Sequence, residues 1–183
     1  TKPITAVAAM TLVEDGLLGL EDPVAKYIPA AAQLRVATRH ERNADGGFDT
    51  VPLSSPLRVR HLLMFASGIG GSRAIGDDSD LEALWQERGV FAGSGSLQER
   101  VERALTLPLF EEPGTVWRYG GSADVLARVL EVAAGQPFPE ILRQRVFQPL
   151  GMVHTEHLPP PEGQGDLARV YTQDENGDLV LMQ

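Results

Sequence analysis

The sequence predicts a mainly helical chain with one edge of a β-sheet attached, and three observations carry that expectation. Apolar residues recur at three- and four-residue spacing over most of the chain. Glycines, prolines and Ser/Glu pairs punctuate it at helix-length intervals. Only the last stretch alternates in the manner of a strand, a turn and a second strand. With 183 residues, 43% hydrophobic and 22% charged, the chain is long and apolar enough to bury a core, which excludes a disordered tail.

The first helix is predicted from the stripe Ile4, Val7, Ala8, Thr11 and Leu12, with Pro3 in the first turn, where no amide hydrogen is required. It should stop near Asp15, with Gly16 as a left-handed cap and Leu17 folding back. Asp22 and Pro23 read as the N-cap and first residue of a short helix that turns Val24, Tyr27 and Ile28 inward and ends at Pro29. Residues 31–55 read as polar and irregular, with a turn at Asp45-Gly46-Gly47. Pro56 introduces a helix with Val59, Leu62, Leu63 and Phe65 on one face, followed by the glycine-rich Ser67-Gly68-Ile69-Gly70-Gly71-Ser72.

Two capping boxes come next, Ser79 with Glu82 and Ser96 with Glu99, and Pro108 closes the second helix. Trp117-Arg118-Tyr119-Gly120-Gly121 leads into a helix with Val125, Leu126, Val129, Leu130 and Ala133 inward, capped by Gly135. A last helix is expected from Phe138 to Phe147, broken by Pro149 and Gly151. Residues 158–166 form a Pro/Gly-rich link, and a hairpin is expected after it. The first helix opens almost at Thr1 with no cap, and the chain stops in a strand, so the sequence reads as a segment of a longer protein.

Composition narrows the function. With 16 Lys and Arg against 25 Asp and Glu the net charge is −9, unsuited to holding a phosphate backbone. No apolar run approaches the ~20 residues of a membrane span. The absence of cysteine excludes disulfides, Cys-based zinc sites and a Cys nucleophile. Of the four histidines, His154 and His157 are three apart but join no second cluster at metal spacing, and His61 reads as structural. Asp174, Asn176 and Asp178 suit a hairpin turn better than a calcium loop, since no Glu closes it.

Neither Gly120-Gly121-Ser122-Ala123-Asp124 nor Gly70-Gly71-Ser72-Arg73-Ala74 completes a Gly-x-Ser-x-Gly elbow. Lys2 stands on the first turn of an apolar helix, where a Ser three residues earlier would share its face. That is the geometry of a Ser-x-x-Lys pair, in which a desolvated Lys accepts the hydroxyl proton. Tyr119 is the second candidate: an ammonium close to a phenol favours the phenolate and makes it a usable base. Gly120 and Gly121 let backbone approach a ligand ahead of a helix N-terminus.

Taken in order, these stretches resemble the serine β-lactamase and penicillin-binding-protein superfamily, and most closely its class C-like branch with the family VIII carboxylesterases. Thr1-Lys2-Pro3, Val13-Glu14-Asp15-Gly16-Leu17-Leu18 and Leu20-Glu21-Asp22-Pro23-Val24 match the active-site helix and the segment after it. Pro56-Leu57, Val59-Arg60-His61-Leu62-Leu63 and Ser67-Gly68 match the next landmark. Pro113-Gly114-Thr115-x-Trp117-x-Tyr119, Asp124-Val125-Leu126 and Pro149-Leu150-Gly151-Met152 with Thr155 complete the series.

The resemblance implies a multidomain α+β, β-lactamase/transpeptidase-like fold. Residues 1–157 would be mainly its helical region, and 158–183 the link and first strands returning to the sheet. It implies acyl transfer through a Ser ester, with Lys2 and Tyr119 as catalytic residues and Gly68, Ile69, Gly70 and Gly121 lining the substrate cleft. No metal or organic cofactor is implied, and the expected partner is a small-molecule ester or β-lactam. Oligomeric state and compartment stay open.

Three departures matter. The nucleophilic Ser and the Lys-Thr-Gly-type strand lie outside these 183 residues, so this segment alone is expected to be inert. Third, Gly121 replaces the Asn or Ser of the family's Tyr-x-Asn, which removes a partner for a lactam or peptide amide and favours esters. A carboxylesterase is therefore the first expectation. A class C-like β-lactamase or D-alanyl-D-alanine peptidase is the second, and a non-catalytic relative of the fold the third.

Overall fold

The computed structural model describes residues 2–71, 78–90, 94–158 and 168–181. They form two compact units, Thr1–Val153 and His154–Gln183. In the first unit helix α1 spans Lys2–Glu14. It ends in a Schellman motif: Gly16, at φ +71°, donates to Val13, and Leu17 donates to Leu12 at 2.9 Å. The residue that folds back into the core is Leu18, however, while Leu17 is exposed. The buried face of α1 is Thr5, Ala8, Ala9 and Leu12, which leaves Val7 in solvent, against the predicted stripe. An apolar helix with several alanines marks its inward face weakly, and packing against α5 (Ser122–Ala134) decides it.

Asp22 is not an N-cap. Its Oδ2 gathers the Gly19 amide at 3.1 Å, Lys26 Nζ at 2.7 Å and the Tyr27 hydroxyl at 2.6 Å, beside a short 3₁₀ turn, Val24–Lys26. Pro29 opens a second 3₁₀ turn, Pro29–Gln33, instead of ending a helix. Within 31–55 the structure forms a hairpin: β1, Arg35–Ala37, pairs antiparallel with β2, Thr50–Pro52. The expected turn lies between them, with Gly46 donating to Asn43. Leu109 lies along β1, its amide donating to Arg35 and its carbonyl accepting from Ala37, both at 2.9 Å.

Helix α2, Val59–Leu63, is one turn shorter than predicted, and Phe65 lies beyond it. Helix α3, Asp80–Glu87, has Ser79 as N-cap, but the buried Glu82 does not reciprocate. Its carboxylate accepts from the Gly71 amide at 3.2 Å and from Gln86 instead. Helix α4, Leu97–Ala104, carries the full capping box of Ser96 and Glu99. Helix α5 ends at Gly135, φ +65°. Helix α6, Phe138–Leu142, runs on as a single π turn, Arg143–Phe147.

The core is built around α5, which packs against α1, α2, α4 and α6. Leu12, Leu62, Leu81, Trp85, Leu130 and Ile141 are fully buried in it. Burying such a side chain contributes about 1.5–3 kcal/mol. The Trp85 indole N–H is satisfied by the Pro108 carbonyl at 3.1 Å.

The second unit carries a hairpin, β3 (Tyr171–Gln173) with β4 (Leu179–Leu181). Asp174 Oδ1 accepts from the amides of Asn176 and Asp178, each at 2.9 Å, so this triad is a turn, as expected. The predicted Pro/Gly-rich link lies almost wholly outside the described residues. Among the described residues no helix is long and apolar enough to cross a membrane.

Candidate active site

Three stretches distant in sequence meet in the first unit: the start of α1, the segment 64–71 after α2, and the segment 114–121 ahead of α5. Backbone hydrogen bonds align the last two. Gly114 donates to Ala66 at 2.7 Å, Arg118 to Phe65 at 2.8 Å and Gly121 to Gly70 at 3.2 Å. Behind them the hydroxyls of Ser67 and Ser122 share a buried hydrogen bond of 2.7 Å.

Two glycines are demanded by this crossing. Gly68 sits at φ +73°, and a Cβ there would meet the Glu111 carbonyl oxygen at 2.3 Å. A Cβ on Gly120 would lie 2.3 Å from the Ile69 oxygen and 2.8 Å from that of Gly70. The close approach expected at Gly120 is therefore to the loop's own backbone.

Lys2 and Tyr119, separated by 117 positions, are brought together: Nζ donates to the phenolic oxygen at 2.5 Å. The same nitrogen lies 4.4 Å from the ring centroid. Both side chains are half-buried. Phe65 stacks on the Tyr119 ring, with centroids 5.9 Å apart and planes 13° from parallel. Arg118, next to Tyr119, forks onto Glu111, Nε lying 3.0 Å from both carboxylate oxygens and the second nitrogen 2.6 Å from one of them. Its guanidinium lies 4.0 Å above the Phe110 ring.

The loop residues named as cleft lining run beside the segment that carries Tyr119, Gly121 donating to Gly70. Gly68 and Gly70 are buried, and the Ile69 side chain is fully buried in the core, so what these residues can present is backbone. Gly121 is buried, and its amide is already engaged by Gly70. Asp124, in the first turn of α5, is the acidic neighbour. Burial pushes its carboxyl up, while Arg100, its own backbone amide and Lys2 pull it part of the way back.

A Lys–Tyr pair in which one of the two groups is deprotonated can take a hydroxyl's proton and return it to a leaving group, provided a nucleophile stands beside it. The paired hydroxyls of Ser67 and Ser122 are sealed from solvent and are no such nucleophile. His61, buried at the start of α2, accepts the Arg58 amide at Nδ1, a structural role as expected. Among the described residues no three His, Cys, Asp or Glu side chains are grouped to hold a metal ion. Sequence reasoning missed Phe65, placed on a helix face by its period, and the Ser67–Ser122 link. Asp124 entered only as part of a motif.

The family model "Beta-lactamase" matches residues 1–182. Esterase EstB of Burkholderia gladioli is 36% identical over 153 residues, which cover 83% of this chain and 35% of that protein. A lovastatin esterase of Penicillium rubens is 34% identical over 160 residues, covering 87% of this chain and 38% of the relative. The solved structure of EstCE1, described as a hydrolase with promiscuous acyltransferase activity, superposes with a TM-score of 0.76 at 27% identity. That match covers 100% of this chain and 43% of EstCE1. The chain thus spans well under half the length of these relatives. The mostly helical first unit and the short antiparallel hairpin fit a β-lactamase/transpeptidase-like fold. The chain belongs to the Beta-lactamase family, within the serine β-lactamase and penicillin-binding-protein superfamily and near the family VIII carboxylesterases.

Proposed function

We propose that this chain is the Lys- and Tyr-bearing part of a longer serine hydrolase, a carboxylesterase that cleaves small acyl esters through an acyl-enzyme. Residues 1–157 supply its helical region, and 158–183 lead back to its sheet. The single observation that carries the reading is the hydrogen bond from Lys2 Nζ to Tyr119 OH. Two relatives named as esterases and the glycine at 121 support the ester over the lactam.

In the proposed reaction a Ser two places before Thr1 lies one helical turn from Lys2. Its hydroxyl proton passes to the Lys2–Tyr119 pair as the oxygen attacks the ester carbonyl. The C–O bond to the alcohol then breaks, and the alcohol leaves with the proton that the pair returns. Water, activated by the same pair, cleaves the Ser ester and releases the acid. Gly68, Ile69, Gly70 and Gly121 form one backbone wall of the cleft.

The test is the initial rate of p-nitrophenyl butyrate hydrolysis by the full-length protein beside its Tyr119→Phe variant. Turnover by the parent and a loss of about 10²-fold or more in the variant is the expected result. Equal rates overturn the role of Tyr119. A parent that ignores the ester and opens a chromogenic cephalosporin overturns the esterase reading in favour of a β-lactamase.

A further inference from the structure

Among the described residues Phe65 alone, apart from glycines, has a positive φ, at 54°. The left-handed region crowds a Cβ and is unfavourable for a bulky side chain. Phe65 comes after the C-cap of α2, Met64, where a glycine would end the helix without that cost. A conformation of this kind persists when its surroundings over-determine it, and such residues gather at functional sites.

What the conformation achieves is visible around Tyr119. It lays the Phe65 ring parallel to the phenol, 5.9 Å away between centroids. The stack is fixed through the backbone as well, since the Phe65 carbonyl accepts the Arg118 amide at 2.8 Å and the Ala66 carbonyl accepts that of Gly114 at 2.7 Å. Tyr119 is thus gripped by an aromatic ring, while its oxygen meets Lys2. A group that takes and returns a proton needs that oxygen held in place, because a displacement of about 1 Å can cost about 10²-fold in rate.

We infer that Phe65 is a positioning residue for Tyr119, its strained backbone placing an aromatic wall that fixes the phenol against Lys2. The inference rests on Tyr119 acting as proposed above. It also explains the absence of glycine: glycine would serve the turn and lose the wall.

The experiment compares kcat, KM and melting temperature of the full-length protein with those of Phe65→Gly, Phe65→Asn, Phe65→Tyr and Tyr119→Phe, on p-nitrophenyl butyrate. Glycine and asparagine both accept the left-handed backbone and remove the ring. Both should lose about tenfold or more in kcat with KM changed less than about threefold. Phe65→Gly should melt within about 4 °C of the parent, because relief of strain offsets the lost contact. Phe65→Tyr, which keeps a ring, should stay within about threefold of the parent kcat. A ringless variant at full kcat, a loss confined to KM, or a Phe65→Tyr variant as slow as Phe65→Gly overturns the inference. If Tyr119→Phe keeps the parent's rate, the reading of Tyr119 and this inference fall together. If Tyr119→Phe is slow while Phe65→Gly is not, only this inference falls.

Discussion

Ser67 and Ser122, 1% and 0% exposed, join the loop after α2 to the first residue of α5 through one hydroxyl–hydroxyl hydrogen bond of 2.7 Å. The Ile69 amide also donates to Ser67 Oγ, at 3.2 Å. This buried pair of hydroxyls adds to the backbone hydrogen bonds that hold the segment after α2 against the segment carrying Tyr119.

Removing one hydroxyl leaves the other buried with a hydrogen-bonding capacity it cannot meet, at a cost of about 1–3 kcal/mol. Ser122→Ala should destabilise the protein by about that amount, measured by urea unfolding. Ser67→Ala should cost at least as much, because the Ile69 amide loses its partner too. The double variant should cost less than the sum, since each single variant already breaks the shared bond. Strict additivity would mean that the two hydroxyls act independently.

His61 sets a pH dependence. Its pKa is lowered from 6.5, first by burial and then by the neighbouring Arg60 and Arg58, with Glu21 opposing them weakly. The unfolded chain then takes up the proton more readily than the folded one. The stability His61 contributes is complete above about pH 6.5 and is lost as pH falls below it, toward the folded-state value. The acid side also carries the lowered carboxylates of Asp22, Asp49, Glu99 and Glu140, all of which act further down. Unfolding free energies at pH 7.5 and pH 5.5 should therefore differ more for the parent than for His61→Gln. Equal differences in the two proteins would remove His61 from the account.

Much of the helical frame was legible because its signals are local. Ser96 with Glu99 and Gly16 after α1 are capping chemistry that needs no tertiary context. The hairpin of β1 and β2 was not legible. Its strands have three residues each, Pro52 stands in one of them, and Leu109 lies along the other from a distant part of the chain. Ser79 and Glu82 show the same limit from the other direction: the pair has capping-box spacing, yet the Gly71 amide competes for the Glu82 carboxylate and holds it. The meeting of Lys2 with Tyr119 has no local signature, and only the order of motifs along the chain pointed to it. Phe65 could not be read at all, because an aromatic residue at positive φ runs against every local preference.

Gly120 and Gly121 are adjacent but face opposite demands, and this makes substrate preference testable. A Cβ on Gly120 would stand 2.3 Å from the Ile69 carbonyl oxygen, and backbone cannot rotate away as a side chain would. Gly120→Ala should cost about 1–3 kcal/mol and displace the loop that crosses it. Gly121 has φ −74° and ψ 12°, which any residue adopts, and its amide keeps its bond to Gly70 after substitution. Gly121→Asn is therefore compatible with the backbone, and it returns a side-chain amide to a buried place beside Tyr119. An ester offers that amide little, whereas the amide of a lactam or peptide offers it a partner worth about 1–3 kcal/mol, or roughly 5- to 150-fold. The ratio of kcat/KM for a chromogenic cephalosporin to that for p-nitrophenyl butyrate should rise by a factor in that range. If the variant folds, melts near the parent and leaves the ratio unchanged, the residue two places after Tyr119 does not set the choice between ester and lactam.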